Sequence, residues 1–222
     1  MVNAFAAMRQ SIVDGTAETA AALAQEALRA GIAPLDAIQR GYVPGMHAVG
    51  EEFAHRRMFL PDMMASAEAM RAAMSVLDPE LLKLGAERPV AGVVVLGTVK
   101  GDIHEIGKTL VGTLLAAYGF RVHDLGVDVS AEKFLAKTHE LRPDIIGLSA
   151  LLTTTLKYQR NVIEALENEG LRAKLRVLVG GAPATRQWAE EIGADGYGKD
   201  AVSAVALAQS LVAQRLAVAE KV

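Results

Sequence analysis

The sequence predicts an α/β domain built on a five-stranded parallel sheet over residues 87–222, preceded by an all-α four-helix bundle over residues 1–86. Three observations carry this. Up to about residue 84, apolar positions recur only at helical spacing. From Val90 onward, short apolar runs alternate with helix patterns, the arrangement of repeated strand-helix units. Between them, Gly85 to Pro89 is a polar stretch holding both Gly and Pro, so the boundary belongs there.

The first helix is read from Phe5, Met8 and Ile12, the second from Ala17, Ala21, Ala24 and Leu28. A third carries Met46, Val49 and Phe53, and a fourth carries Met63, Ala67, Met70, Met74 and Leu77. Gly15, Gly31-Ile32-Ala33-Pro34 and Leu60-Pro61 punctuate them, with Pro34 and Pro61 suited to a first helical turn. Tyr42-Val43-Pro44-Gly45 is expected to bend or restart the third. Antiparallel packing buries four such stripes.

The strands are read at Val93 to Leu96, Arg121 to Leu125, Asp144 to Leu148, Leu175 to Val179 and Ala194 to Tyr197. With right-handed crossovers they give a doubly wound, flavodoxin-like sheet of order 2-1-3-4-5. Its switch point lies between the first and third strands, and a ligand is expected beyond their carboxyl ends.

Composition narrows the function. The chain has 222 residues, 51% hydrophobic and 22% charged, as in ordinary soluble proteins. Its net charge of −3, with no long basic run, argues against nucleic-acid and membrane partners. The absence of cysteine excludes disulfides, zinc-thiolate and iron-sulfur sites, and a cysteine nucleophile, so a metal must take nitrogen or oxygen ligands. The start lacks a signal-peptide pattern, and the longest apolar run, near Val90 to Val99, is too short to span a bilayer. A cytoplasmic location is the expectation.

The most informative segment is Gly101-Asp102-Ile103-His104-Glu105-Ile106-Gly107, between the first strand and its helix. It places an imidazole, with a carboxylate two residues earlier, where such a sheet binds ligands. Ser149-Ala150-Leu151 follows after residues 108 to 148, and Gly180-Gly181 after residues 152 to 179, each at the end of its own predicted strand. D-x-H-x-x-G alone would arise by chance in roughly one chain in fifty; the trio in register is far more specific. Gly97-Thr98-Val99-Lys100-Gly101 lacks the spacing of a phosphate loop.

This trio over about residues 88–210 resembles the D-x-H-x-x-G, S-x-L, G-G signature of the cobalamin-binding domain family. The helical third, with Gly50-Glu51-Glu52-Phe53 and Phe59-Leu60-Pro61, resembles the cap bundle of methyl-transferring corrinoid proteins. The resemblance implies cobalamin as cofactor, in methylcobalamin and cob(I)alamin forms, with His104 as the metal ligand to cobalt in place of the cofactor's own base. It implies that Asp102 tunes His104, that Gly107, Gly180 and Gly181 leave room for the displaced nucleotide tail between strands one and four, and that Ser149 bonds the buried base or its sugar. Leu151 is a further cofactor-binding position, Thr153 adds a hydroxyl on the segment after Ser149, and Thr155 matches the hydroxyl that completes a His-Asp-Ser relay in relatives, here with threonine in place of serine. Phe53, Phe59, Met63 and Met64 are candidates for cover of the upper cobalt face.

The implied function is that of a methyl carrier, whose polypeptide holds the cofactor while partner enzymes do the chemistry. Its partners would be a substrate-specific methyltransferase, an acceptor methyltransferase and a reductive activase, with no nucleic acid and no membrane. The alternative is a cobalamin-binding sensor or regulatory module, which needs an effector domain; the small subunit of a mutase leaves the helical third unexplained. Away from the trio, His47, Glu51 and His55 fall at i, i+4 and i+8, a ligand-like spacing to which nothing further converges. His123 and His139 read as an ordinary strand end and a solvated helix residue.

Overall fold

A computed structural model describes residues 2–85 and 89–219. The chain divides into two compact units, one of residues 1–89 with 117–119, the other of residues 90–116 and 120–222. The boundary expected between residues 86 and 87 lies outside the described residues.

In the first unit the helices are α1 (Val2–Val13), α2 (Ala17–Arg29), α3 (Pro34–Asp36), α4 (Val43–Ala54) and α5 (Leu60–Lys83), with a π-helical turn over Ala37–Tyr42 joining α3 to α4. The expected bend at Tyr42 to Gly45 is therefore a widened turn just before it, with helix continuing beyond. Pro44 has no N–H to give, and the Val43 amide donates five residues back to the Ile38 carbonyl, the spacing of a π-turn. Gly41 and Gly45 then serve packing. A Cβ on Gly45 would lie 2.7 Å from Ile12 Cβ and 2.9 Å from the Arg9 carbonyl, so α1 rests directly on the backbone there. Pro34 and Pro61 occupy first turns as expected. The Asp62 carboxylate accepts the Phe59 amide at 2.8 Å and starts α5.

One helix face differs from the expectation. Helix α2 buries Ala20, Ala24 and Ala27, leaving Ala17, Ala21 and Leu28 half-buried. In a helix this rich in alanine several stripes are equally apolar, and the choice falls to the partner: α5 presents Ser66, Ala67, Ala69 and Ala73, and small residues on both sides permit close approach. Met8, Met46, Met63 and Met70 help fill the interior, together with Ile12, Ile38, Val49 and Leu77. The buried Tyr42 hydroxyl donates to the Ala20 carbonyl at 2.8 Å.

The second unit contains β1 (Val93–Thr98), α6 (Ile106–Ala117), β2 (Arg121–Asp124), α7 (Ala131–Leu141), β3 (Ile145–Ser149), α8 (Lys157–Asn168), β4 (Arg176–Gly180), α9 (Arg186–Glu191), β5 (Gly196–Gly198) and α10 (Ala201–Ala219). All strands are parallel in the order β2-β1-β3-β4-β5, the predicted topology. Several strands end later than their apolar runs: Gly97 and Thr98 stay in register with Leu148 and Ser149 although neither is a strong apolar residue. Behind the sheet, Val95, Ile146, Leu148, Val177 and Val179 pack on Phe134, Val162, Ile163 and Leu166 in a closed core. On the opposite face, where α6 and α10 lie, packing leaves a cavity.

Candidate functional site

The loop after β1 is tied down by polar contacts on both sides. Thr98 Oγ1, fully buried, donates to the His104 carbonyl at 2.9 Å, and the Asp102 amide donates to the Val99 carbonyl at 3.1 Å. Asp128, from the loop after β2, accepts the Gly101 amide at 2.7 Å and donates its own amide to the Asp102 carbonyl at 2.9 Å.

Asp102 has no exposed surface, and every bond it accepts serves the site. Oδ1 accepts the His104 amide at 3.1 Å and His104 Nδ1 at 2.7 Å. Oδ2 accepts the Leu151 amide at 2.7 Å, the Leu152 amide at 3.2 Å and Thr155 Oγ1 at 2.7 Å. Burial alone would raise this carboxyl, but the bonds from Thr155, His104 and the two backbone amides of Leu151 and His104 outweigh it and hold the group well below the usual carboxylate range. An ionised carboxylate only accepts, so Nδ1 carries a proton, and Nε2 is the nitrogen whose lone pair the neutral ring would offer. The His104 side chain is 45% exposed, and among the described residues Nε2 has no hydrogen-bond partner.

His104 stands at the mouth of the cavity, which has a volume of about 620 Å³. Its walls are alternate residues of one sheet face, Val94 and Leu96 of β1, Ile145, Gly147 and Ser149 of β3, and Leu178 and Gly180 of β4, with Gly107, Lys108 and Val111 of α6 and Ala204 of α10 opposite. From Ser149 down to Ile145 it runs about 13 Å, at about 3.3 Å per strand residue. The exposed apolar side chains Ile103, Ile106 and Leu151 line it as well.

The residues expected from sequence separate into groups. Asp102, His104, Leu151 and Thr155 form one hydrogen-bonded cluster. His104, Gly107, Ser149, Leu151, Gly180 and Gly181 line the cavity, with Asp102 and Thr155 behind it. Thr153 is exposed on the turn before α8 and lies outside the lining. The glycines differ in kind. A Cβ on Gly107 would meet nothing within 4 Å, and one on Gly180 only the Gly198 carbonyl at 3.2 Å; Gly181 has φ +113° and its Cβ would fall 1.8 Å from the Ala150 carbonyl. Gly181 is thus required by the backbone itself. Among the upper-face candidates Met63 is buried, Phe53 and Met64 are half-buried and Phe59 is exposed. His47 and His55 are exposed, and His55 Nδ1 sits 2.7 Å from the Glu51 carbonyl of its own turn.

Sequence reasoning missed Thr98, Asp128, the cavity-lining Lys108 with its ion-pair partner Asp124, and Gln159. Only Gln159 left a signal: with Val162, Ile163 and Leu166 it occupies i, i+3, i+4 and i+7, a polar residue on an apolar stripe.

Among the described residues no group of three or more His, Asp or Glu side chains could hold a metal ion. A lone imidazole with its tautomer already held suits a metal whose other positions are filled when it arrives, as in a corrin ring. The deep cleft beside it, with open space at Gly107, fits a corrinoid's nucleotide tail.

Fold and site together define a cobalamin-binding α/β domain joined to a helical unit. Residues 92–206 match the family model described as B12 binding domain, and residues 4–78 match a second of the same description. A corrinoid protein of Desulfitobacterium hafniense is 46% identical over 206 residues, 92% of this chain and 95% of that one. The dimethylamine corrinoid protein of Methanosarcina barkeri is 45% identical over 206 residues, 93% of this chain and 96% of its own. Among solved structures, the methanol:cobalamin methyltransferase complex of Methanosarcina barkeri superposes with a TM-score of 0.84 at 31% identity, covering 95% of this chain and 80% of that chain. The chain belongs to the B12-binding corrinoid proteins. No described helix is long and apolar enough to cross a membrane.

Proposed function

We propose that this protein carries a methyl group on the cobalt of a bound corrinoid between a substrate-specific and an acceptor methyltransferase, with a reductive activase as a further partner, and works in the cytoplasm. The bound corrinoid supplies a cobalt centre that accepts and releases a methyl group. The chain's own residues hold and tune it. His104 offers Nε2 to the metal, and Asp102 fixes the ring by accepting Nδ1–H at 2.7 Å. Thr155, the His104 ring and the Leu151 and His104 amides keep Asp102 anionic, so it favours partial positive charge on the ring when Nε2 donates to a metal. Gly107, Ser149, Gly180 and Gly181 line the cleft that would take the tail, and the apolar Ile103, Ile106 and Leu151, which line the same cavity, would lie against the macrocycle.

The observation that carries this reading is the pairing of a single imidazole, its far nitrogen held by a buried carboxylate, with a deep cleft alongside. Relatives that are corrinoid proteins at 44 to 46% identity support the methyl-transfer role. Electron paramagnetic resonance of the cob(II)alamin-loaded protein tests the ligand. Coupling to one axial nitrogen should change when histidine is labelled with heavy nitrogen and disappear in His104→Ala. A coupling that responds only to labelling of the cofactor would refute it.

A further inference from the structure

We propose that Gln159 is a positioning residue that braces the mouth of the cleft from behind and so sets affinity for the corrinoid's nucleotide tail; this rests on the cobalamin-binding reading above. Gln159 belongs to α8, on the side of the sheet away from the cavity, and has no exposed surface. Its Nε2 donates to the Leu148 carbonyl and to the Gly180 carbonyl, both at 3.0 Å, and its Oε1 accepts Trp188 Nε1 at 2.9 Å. Both amide protons and the carbonyl oxygen are engaged, which is the condition under which a buried amide specifies one geometry.

The placement matters because both carbonyls belong to residues that wall the cavity. Leu148 and Gly180 lie at the ends of β3 and β4, where Ser149 and Gly180 stand in register. Gly180 and Gly181 have no side chains with which to anchor themselves. The Gly180 carbonyl accepts one ladder bond, from the Ala150 amide at 3.1 Å, and the Gln159 bond is its second. Trp188, on α9, is in turn held under the Arg160 guanidinium, 4.9 Å from the ring centre, and Arg160 pairs with Glu191. The spacing of the two strand ends is thus linked through one amide to α8 and α9, elements that do not line the cavity.

A brace of this kind predicts a selective defect. Gln159→Glu keeps the acceptor for Trp188 Nε1 and removes the donors to both carbonyls. Titration of the full chain with hydroxocobalamin, which has the tail, and with aquocobinamide, which lacks it, separates the outcomes. Cobalamin affinity should fall roughly three- to tenfold, the range expected from loss of a buried hydrogen bond, while cobinamide affinity stays within about twofold of wild type. Trp188→Phe keeps the donors but frees Oε1 and should show the same selectivity at smaller size, and it serves as the deciding variant if Gln159→Glu does not fold. Parallel losses for both ligands, or no loss in either variant, would overturn the brace. A wild-type chain that binds neither ligand would sink the cobalamin reading, and the brace with it.

Discussion

Around Asp102, one buried carboxylate accepts five hydrogen bonds from two segments of the α/β unit, and each donor's position follows from that carboxylate. The interior of the helical unit is made instead of small and aliphatic residues, alanine and methionine with Ile12, Ile38, Val49 and Leu77, and the buried Tyr42 phenol is bonded to the Ala20 carbonyl. In the first region chemistry selects the residue type, because a buried anion without its donors is costly. In the second only volume is selected, and many apolar arrangements of equal volume would serve. The two regions should therefore respond in opposite ways to substitution.

The largest effect is expected at Asp102. Asp102→Ala would strand the Leu151 and Leu152 amides and leave the Thr155 hydroxyl only the Leu152 carbonyl, 2.8 Å away, and should destabilise the α/β unit by about 3 to 5 kcal/mol in urea unfolding. Asp102→Asn adds a pH test. Since the folded-state carboxyl is held below its ordinary range, its stabilisation is complete above about pH 4, the unfolded aspartate value, and is lost as pH falls through the lower folded value. The stability gap between wild type and Asp102→Asn should accordingly be constant above about pH 5 and shrink on acidification below about pH 4. A gap that widens in acid would mean the carboxylate is not the anchor described.

Glycines sharpen the comparison, because the same substitution changes sign with its surroundings. Gly181→Ala must place a Cβ against the Ala150 carbonyl from a backbone at φ +113°, and should cost about 2 to 4 kcal/mol even without ligand. In the helical unit, Gly45→Ala should cost about 1 to 3 kcal/mol by pushing α1 away at the Arg9 carbonyl and Ile12, although alanine is the better helix former. Gly107→Ala lies in a helix with nothing within 4 Å, and should be neutral or stabilising by up to about 1 kcal/mol. Only at Gly107 can bulk then report on the ligand: Gly107→Leu should fold well and weaken cobalamin binding, whereas a bulky residue at Gly181 would confound the two effects. Thermal melts and cobalamin titrations of the four variants decide this.

The same contrast explains what is legible in the sequence. The parallel sheet, its order and the helical first third are legible, since periodicity and strand-helix alternation are properties of local sequence. That Asp102, His104, Ser149 and the paired glycines come together at one end of the sheet is legible through their spacing. The buried face of α2 is not, because an alanine stripe carries no size difference to orient it. Asp128 and Thr98 are not, because each acts through a backbone group of another residue, and such bonds leave no mark on spacing. For Gly181 the motif implies room for a ligand, while the structure adds a steric demand of its own.

The smallest expected effect is also the one that bears most directly on reading sites from motifs. Thr153 and Thr155 lie on the same turn and offer the same hydroxyl, and both stand among the expected cofactor-binding positions. The structure buries Thr155, with Oγ1 2.7 Å from Asp102, and leaves Thr153 exposed and outside the cavity lining. Thr155→Val removes a donor to a buried anion and should cost about 1.5 to 3 kcal/mol, with Thr155→Ser close to wild type. Thr153→Val should leave stability within about 0.5 kcal/mol and cobalamin affinity within about twofold. Measured side by side, the pair asks whether burial against Asp102 or membership of the motif confers the role. A loss of affinity at Thr153 equal to that at Thr155 would show that the turn closes over the ligand when it binds, and would extend the chemically determined region to a segment that is open in this structure.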